Sequence, residues 1–311
     1  IMGNAGNNTI TGTAFNDVID GKAGTDIMDG RNGGDIYLIS ADVEHKLAEI
    51  ADTGASGIDE IRFASVVANT TLTLYASDTG LERVVIGTGT ESVANTTATT
   101  ALNINASAVI NALIIMGNAG NNLITGTAYS DQLDGGDGSD VYLINATTHH
   151  TQAEITDTGN MGIDEVRFAA TAASTLTLFA GDTGIDQVVI GTGTKTDAVT
   201  TGTVALNVNA SAVTNSLKLI GNNGPNTLLG TAHADVLDGR SGIDSLNGNN
   251  GADIYFISSA AEHTAAEIAD TGVSGIDEIR FTATSASTLT LFAGDTGIEK
   301  VVIGVGTAEI A

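Results

Sequence analysis

Two rhythms of apolar positions run along the chain. Across residues 12–38 a bulky apolar residue recurs every nine positions, at Ile19, Met28 and Tyr37. Each belongs to a unit that opens with Gly and carries Asp at its sixth position: GTAFNDVID, GKAGTDIMD, GRNGGDIYL. Elsewhere apolar and polar residues alternate over short, β-branched stretches, as at Leu72/Leu74, Leu102/Ile104 and Ile61/Phe63. Gly, Asp, Asn and Thr separate these stretches. Short alternating runs between turn residues predict strands. The best candidate for a short helix is Ala41–Ile50. The pattern predicts an all-β protein.

The whole pattern repeats. GNAGNN at 3–8 returns at 117–122, and GNNGPN at 221–226 opens a third copy. This predicts three tandem modules, 1–116, 117–220 and 221–311, with nonapeptides at 3–38, 117–143 and 221–256. After the nonapeptides each module runs the same course. It passes through DIYLI (35–39), Ala-Glu-Ile (48–50), Asp-Thr-Gly (52–54), GIDEIRF (57–63), TLTLYA (71–76), a second Asp-Thr-Gly (78–80) and VVIGTGT (84–90). The counterpart of the last segment in module three is VVIGVGT at 301–307. Tandem repeats of this kind stack into a solenoid, each unit burying its neighbour's face. The expected solenoid alternates narrow nine-residue half-turns with wider coils. Both ends fall mid-repeat, which predicts a longer natural protein, or ends completed by neighbours in head-to-tail association.

Charge narrows the function. The chain carries 37 acidic against 11 basic residues, a net −26. Nucleic acid and anionic membrane surfaces both require a basic footprint, so neither is an expected partner. Multivalent cations are the natural counterweight to such self-repulsion. There is no cysteine for a disulfide or thiolate site,. No apolar run is long enough for a transmembrane helix, and no signal peptide is apparent at the amino terminus.

Gly and Asp at this spacing suit calcium. The ion takes six to eight oxygens from carboxylates and backbone carbonyls. Glycines allow the turn to aim its carbonyls inward, and the Asp adds charge. The nonapeptide resembles the RTX (haemolysin-type) calcium-binding β-roll repeat. That resemblance implies a parallel β-roll with calcium as the cofactor, held between turns two units apart. It implies the ligands Asn8 with Asp26, Asp17 with Asp35, Asn122 with Asp140, Asn226 with Asp244, and Asp235 with Asp253. Asp131 has no counterpart among the nonapeptides, and a residue of the following coil is expected to serve it. The pattern departs in places. Phe15, Tyr129 and His233 replace the fourth-position Gly, and Asn in each opening unit carries less charge. The segments between blocks more loosely resemble the spacers of large secreted RTX proteins.

Other motifs leave two readings open. Asp59, Asp164 and Asp277 follow Gly-Ile in every module, as further metal ligands or as turn caps. Glu60/Arg62, Glu165/Arg167 and Glu278/Arg280 alternate with apolar residues, which predicts a solvated face of ion pairs. His45, His150 and His263 each precede a Glu by four residues; without a third ligand at useful spacing, packing is the expected role. Six Asp-Thr-Gly copies read as turns and not as protease motifs. No catalytic constellation stands out, so the chain is not expected to be an enzyme.

The expected function is a calcium-dependent structural β-solenoid of a secreted, extracellular bacterial protein at the cell surface. It would be an S-layer, adhesin stalk or filament that folds on calcium after type I secretion. Its partners would be calcium ions, further copies and other cell-surface components. The alternative is the calcium-binding carboxy-terminal region of a type I-secreted enzyme or toxin whose catalytic domain lies outside this chain.

Overall fold

A computed structural model describes residues 1–47 and 49–304. Ala48, in the first Ala-Glu-Ile, and residues 305–307, in the third VVIGVGT segment, lie outside the described residues. The chain forms two compact units, residues 1–143 with 154–164, and residues 144–153 with those from 165 on. Each is a parallel β-solenoid, and among the described residues helix is confined to three single 3-10 turns. The expected helix at 41–50 is only one of these, Asp42–Glu44.

Within the nonapeptide blocks each strand pairs with the strand two units away, so one nonapeptide is half a coil. Thr9–Thr11 lies parallel to Ile27–Asp29, and Val18–Ile19 to Ile36–Ile39. Beyond the block the coils widen. Ile36 pairs with Glu60, and Ile114 with Arg83, partners further apart along the chain than Val18 and Ile36. The lateral spacing of a parallel ladder is fixed by its hydrogen bonds. Extra residues therefore enlarge the coil sideways without lengthening the stack.

The eighth-position residue sets the core. In the first unit Ile19, Tyr37, Ile61, Val84, Ile115 and Leu133 are successive partners in one ladder, all buried. A second ladder stacks Leu72, Ile104, Ile124 and Tyr142. The second unit stacks Val166, Val188, Leu219, Leu237, Tyr255 and Ile279. Burying each such side chain contributes about 1.5–3 kcal/mol. The register is strict, because a slip of one residue would turn every core side chain outward.

The alternation at 60–63 does not mark a solvated face. Glu60, Arg62, Glu165 and Arg167 are all buried. An antiparallel hairpin, Thr88–Thr90 with Val93–Asn95, extends from the VVIGTGT segment, and the Arg62 guanidinium donates to the carbonyl of Thr90. The outward side of the strand is thereby covered. Glu60 is shared between Arg62 and Arg83, and Glu278 between Arg280 and Lys300.

Candidate metal centre

The sixth-position side chains form ladders along the turn edges. The backbone N–H of Asn8 donates to Oδ1 of Asp26 (2.7 Å), and that of Asp17 to Asp35 (2.7 Å). Asn122 donates likewise to Asp140 (2.6 Å), Asn226 to Asp244 (2.8 Å), and Asp235 to Asp253 (2.7 Å). The pairs implied by the resemblance are thus adjacent rungs. Asp131 accepts from the backbone N–H of Leu113 in the preceding coil (2.8 Å); burial raises its pKa, and Glu154 of the following coil adds to the rise. The ladder continues past the blocks. Asp35, Asp140 and Asp253 donate backbone N–H to Asp59, Asp164 and Asp277 at 2.7–2.8 Å. The Gly-Ile-Asp carboxylates therefore do cap backbone, and they do so one coil away.

The second carboxylate oxygen divides the units into two kinds. Where Gly stands fourth and Asp sixth, the second residue turns into the left-handed region: Lys22 (φ 67°), Arg31 (73°), Gly136 (82°), Arg240 (65°) and Asn249 (71°). The N–H of that residue then bonds back to the Asp or Asn that ends the preceding unit, as Lys22 does to Asp20 (3.0 Å). The sixth-position carboxylate thereby loses a donor. Oδ2 of Asp26, Asp35, Asp140, Asp244 and Asp253 is buried with no hydrogen-bond partner.

The other units satisfy themselves. In the Gly-Thr-Ala units the second-position N–H points at the sixth position, so that Thr13, Thr127 and Thr231 donate to Oδ2 of Asp17, Asp131 and Asp235 at 2.5–2.6 Å. In the opening units Asn4, Asn118 and Asn222 do the same to Asn8, Asn122 and Asn226. The Asn122 amide also donates to the carbonyl of Leu102 (2.8 Å), and Asn226 to that of Leu206 (2.6 Å). An N–H there supplies positive charge to a carbonyl without an ion.

An unpartnered buried carboxylate oxygen is costly. Five of them fit a hard cation taken entirely by oxygen,. When bound, calcium would supply the charge these oxygens lack, with Asp26, Asp35, Asp140, Asp244 and Asp253 as its carboxylate ligands. The close approach needs glycine. A Cβ on Gly57 (φ +106°) would meet the Gly33 carbonyl oxygen at 1.9 Å, and one on Gly54 the Arg31 carbonyl oxygen at 1.7 Å.

At the end of each block the carboxylates converge. Asp35, Asp52 and Asp59 place coordinating oxygens within 4.8 Å of one another, as do Asp140, Asp157 and Asp164, and Asp253, Asp270 and Asp277. Two ionised carboxylates at such a distance repel by roughly 3 kcal/mol at an effective dielectric near 20. Burial first, and then the neighbouring aspartates, push Asp59 and Asp253 up to about 7 and Asp140 to about 8, against the hydrogen bonds from Asp35, Asp235 and Asn122. Burial likewise raises Asp244 to about 7. The sequence reading missed Asp52, Asp157 and Asp270. Their signal was the first Asp-Thr-Gly of each module, set at a constant distance after the last nonapeptide Asp.

The histidines are held as packing elements. The His45 ring lies buried with Nε2 3.0 Å from Asp78, the aspartate of the second Asp-Thr-Gly turn. Asp78 also accepts from the N–H groups of Glu49 and Tyr75. His150 meets Asp182 (2.9 Å) in the same way. His263 lies between Glu267 (3.1 Å) and Asp295 (3.0 Å). Burial lowers its pKa, but those two carboxylates outweigh it and hold the ring above its ordinary value. Among the described residues no helix is long and apolar enough to cross a membrane.

Comparison with known families matches the RTX calcium-binding nonapeptide repeat in four copies, over residues 2–37, 116–143 and 220–255. The matched residues contain all eleven sixth-position side chains and stop short of Asp52, Asp59 and their counterparts. No curated protein matched the chain.

Proposed function

We propose, from a chain whose three nonapeptide blocks are RTX calcium-binding repeats, that this is a structural element of a secreted bacterial surface protein, an S-layer, adhesin stalk or filament. That the repeats form a calcium-binding β-solenoid is the premise. The role built on it is calcium-driven assembly outside the cell. One observation carries the reading: the ladders bury five carboxylate oxygens that no protein donor satisfies. A chain of net charge −26 that buries aspartate in this way is poorly stabilised without divalent cations. Calcium binding free energy then becomes folding free energy. Low cytosolic calcium keeps the chain unfolded for type I export, and roughly millimolar external calcium folds it. The reading is structural, not enzymatic, because the residues that invite catalysis are committed elsewhere. Asp52 accepts from Tyr37 and Gly54, and His45 is anchored on Asp78.

Circular dichroism through a calcium titration tests this. In excess EGTA the chain is expected to be only partly folded, with a low-temperature melt, and to gain β signal on calcium addition. Equal β content in both states would overturn the folding role. Electron microscopy of the calcium-loaded protein at high concentration tests the assembly role, for which monodisperse single chains are the contrary result.

A further inference from the structure

Three carboxylates from three separate segments meet where each nonapeptide block gives way to a wider coil. The first, Asp35, Asp140 or Asp253, closes the block. The second, Asp52, Asp157 or Asp270, belongs to an Asp-Thr-Gly turn. The third, Asp59, Asp164 or Asp277, follows Gly-Ile. The spacing from first to second and from second to third is identical in all three modules. The second and third aspartates lie outside the matched repeat.

Each group is anchored by the protein, and the aspartate that closes the block keeps one buried oxygen without a partner. Asp35 is fully buried; its Oδ1 accepts from Asp17, and its Oδ2 has no partner. Oδ2 of Asp140 and of Asp253 is in the same state. Asp52 is fixed at both oxygens, Oδ1 accepting from the Gly54 N–H (2.6 Å) and Oδ2 from the Tyr37 hydroxyl (2.5 Å), and each oxygen keeps a second lone pair,. The Tyr37 oxygen in turn accepts from Gly30 N–H (2.8 Å), which fixes where its proton points. Tyr142 with Asp157, and Tyr255 with Asp270, repeat the arrangement. Asp59 accepts from Asp35 N–H (2.7 Å). No ion pair reaches Asp35, Asp52 or Asp59 among the described residues. Three buried carboxylates with converging oxygens and no nitrogen or sulfur donor match a hard divalent cation.

We propose that each triad is a calcium site of its own, one per block, joining the last nonapeptide turn to the coil that follows. The proposal rests on the calcium reading of the repeats and adds sites built mainly from residues outside them. Its role is geometric. The block ends where the coil widens, at the step from the Val18–Ile36 pairing to the Ile36–Glu60 pairing. An ion bridging Asp35 to Asp52 and Asp59 pins both ends of the wider coil.

The tyrosines supply the test. Tyr37, Tyr142 and Tyr255 hydrogen-bond directly to the triads, and the chain has no tryptophan. Terbium replacing calcium in a triad is therefore excited through tyrosine. In D59N/D164N/D277N the amide oxygen still accepts the bond from Asp35, Asp140 or Asp253, while the charge is lost. This variant is expected to weaken three calcium sites by at least tenfold in titration calorimetry and to lose most tyrosine-sensitised terbium emission. D26N/D244N alters nonapeptide turns only and is expected to keep the emission. If the triple variant does not fold, D277N alone should weaken one site and lose about a third of the emission. An unchanged calcium count with unchanged emission in the triple variant overturns the triad sites, whatever D26N/D244N does to the nonapeptide turns. A failure of the unaltered chain to bind any calcium overturns the repeat reading as well, so the two failures are distinguishable.

Discussion

Replacing Asp244 by Asn is expected to change stability in opposite directions with and without calcium. The Asn side chain keeps an oxygen for the Asn226 N–H (2.8 Å) and removes the charge from the unpartnered position. In the calcium-free protein the carboxyl is raised from 3.8 to about 7, chiefly by burial. At pH 8 that shift corresponds to about 4 kcal/mol of destabilisation. The group is partly solvated, so screening reduces the figure to about 2 kcal/mol. Asn avoids that cost, and the variant should melt higher in EGTA. With calcium a thousandfold above its dissociation constant, one site contributes about 4 kcal/mol, most of which the variant forfeits. It should then be about 2 kcal/mol less stable than the parent chain. At roughly 2–4 °C per kcal/mol, thermal melts followed by circular dichroism should shift about 4–8 °C up in EGTA and a similar amount down in calcium. Asp17→Asn is the control. Its second oxygen already accepts from Thr13 N–H and hydroxyl, a role an amide oxygen takes in Asn8, so the substitution should be near neutral in both buffers. Shifts of the same sign for Asp244→Asn in both buffers would refute the division of the turns into two kinds.

Arg31 holds a left-handed conformation (φ 73°) that disfavours a side chain. Arg31→Gly should therefore stabilise by about 1 kcal/mol, read from urea denaturation in calcium. Gly57→Ala should cost more than about 3 kcal/mol and broaden or abolish the transition, because its Cβ would overlap the Gly33 carbonyl,. Gly6→Ala, whose Cβ meets only the Asn4 side chain at 3.2 Å, should be near neutral. The raised carboxyls also set a pH dependence. Asp59, Asp244 and Asp253 titrate at about 7 and Asp140 at about 8 in the folded chain, against 3.8. Folding takes up protons between these values, so the calcium-free protein should gain stability on acidification from about pH 8 to about pH 5. Bound calcium requires the ionised form, so the loaded protein should lose stability over the same range. Melts in EGTA and in calcium across that interval check both signs.

Much of the site was legible in the sequence because it repeats. A nine-residue period with Gly first and Asp sixth marks the repeating turns, and the resemblance to the RTX repeat implies the pairing of Asp17 with Asp35, two units on. The division of the turns was also present, unread. Gly at the fourth position and Asp at the sixth occur together only in the five units whose second residue is left-handed. Either feature alone is shared with self-satisfied units, such as Gly6 with Asn8 or Phe15 with Asp17.

The sequence by itself determined the strand periodicity, the recurring apolar positions Ile19, Met28 and Tyr37, and the acidic character that calls for a cation. These depend on local spacing, which a repeat states many times over. Only the tertiary structure decided which aspartate oxygens lack a donor, that Asp52 joins Asp35 and Asp59, and that Glu60 and Arg62 are buried. Each of these turns on what a neighbouring coil, distant along the chain, places against the side chain. Coil width, set by loops without periodicity, is not written in any local pattern.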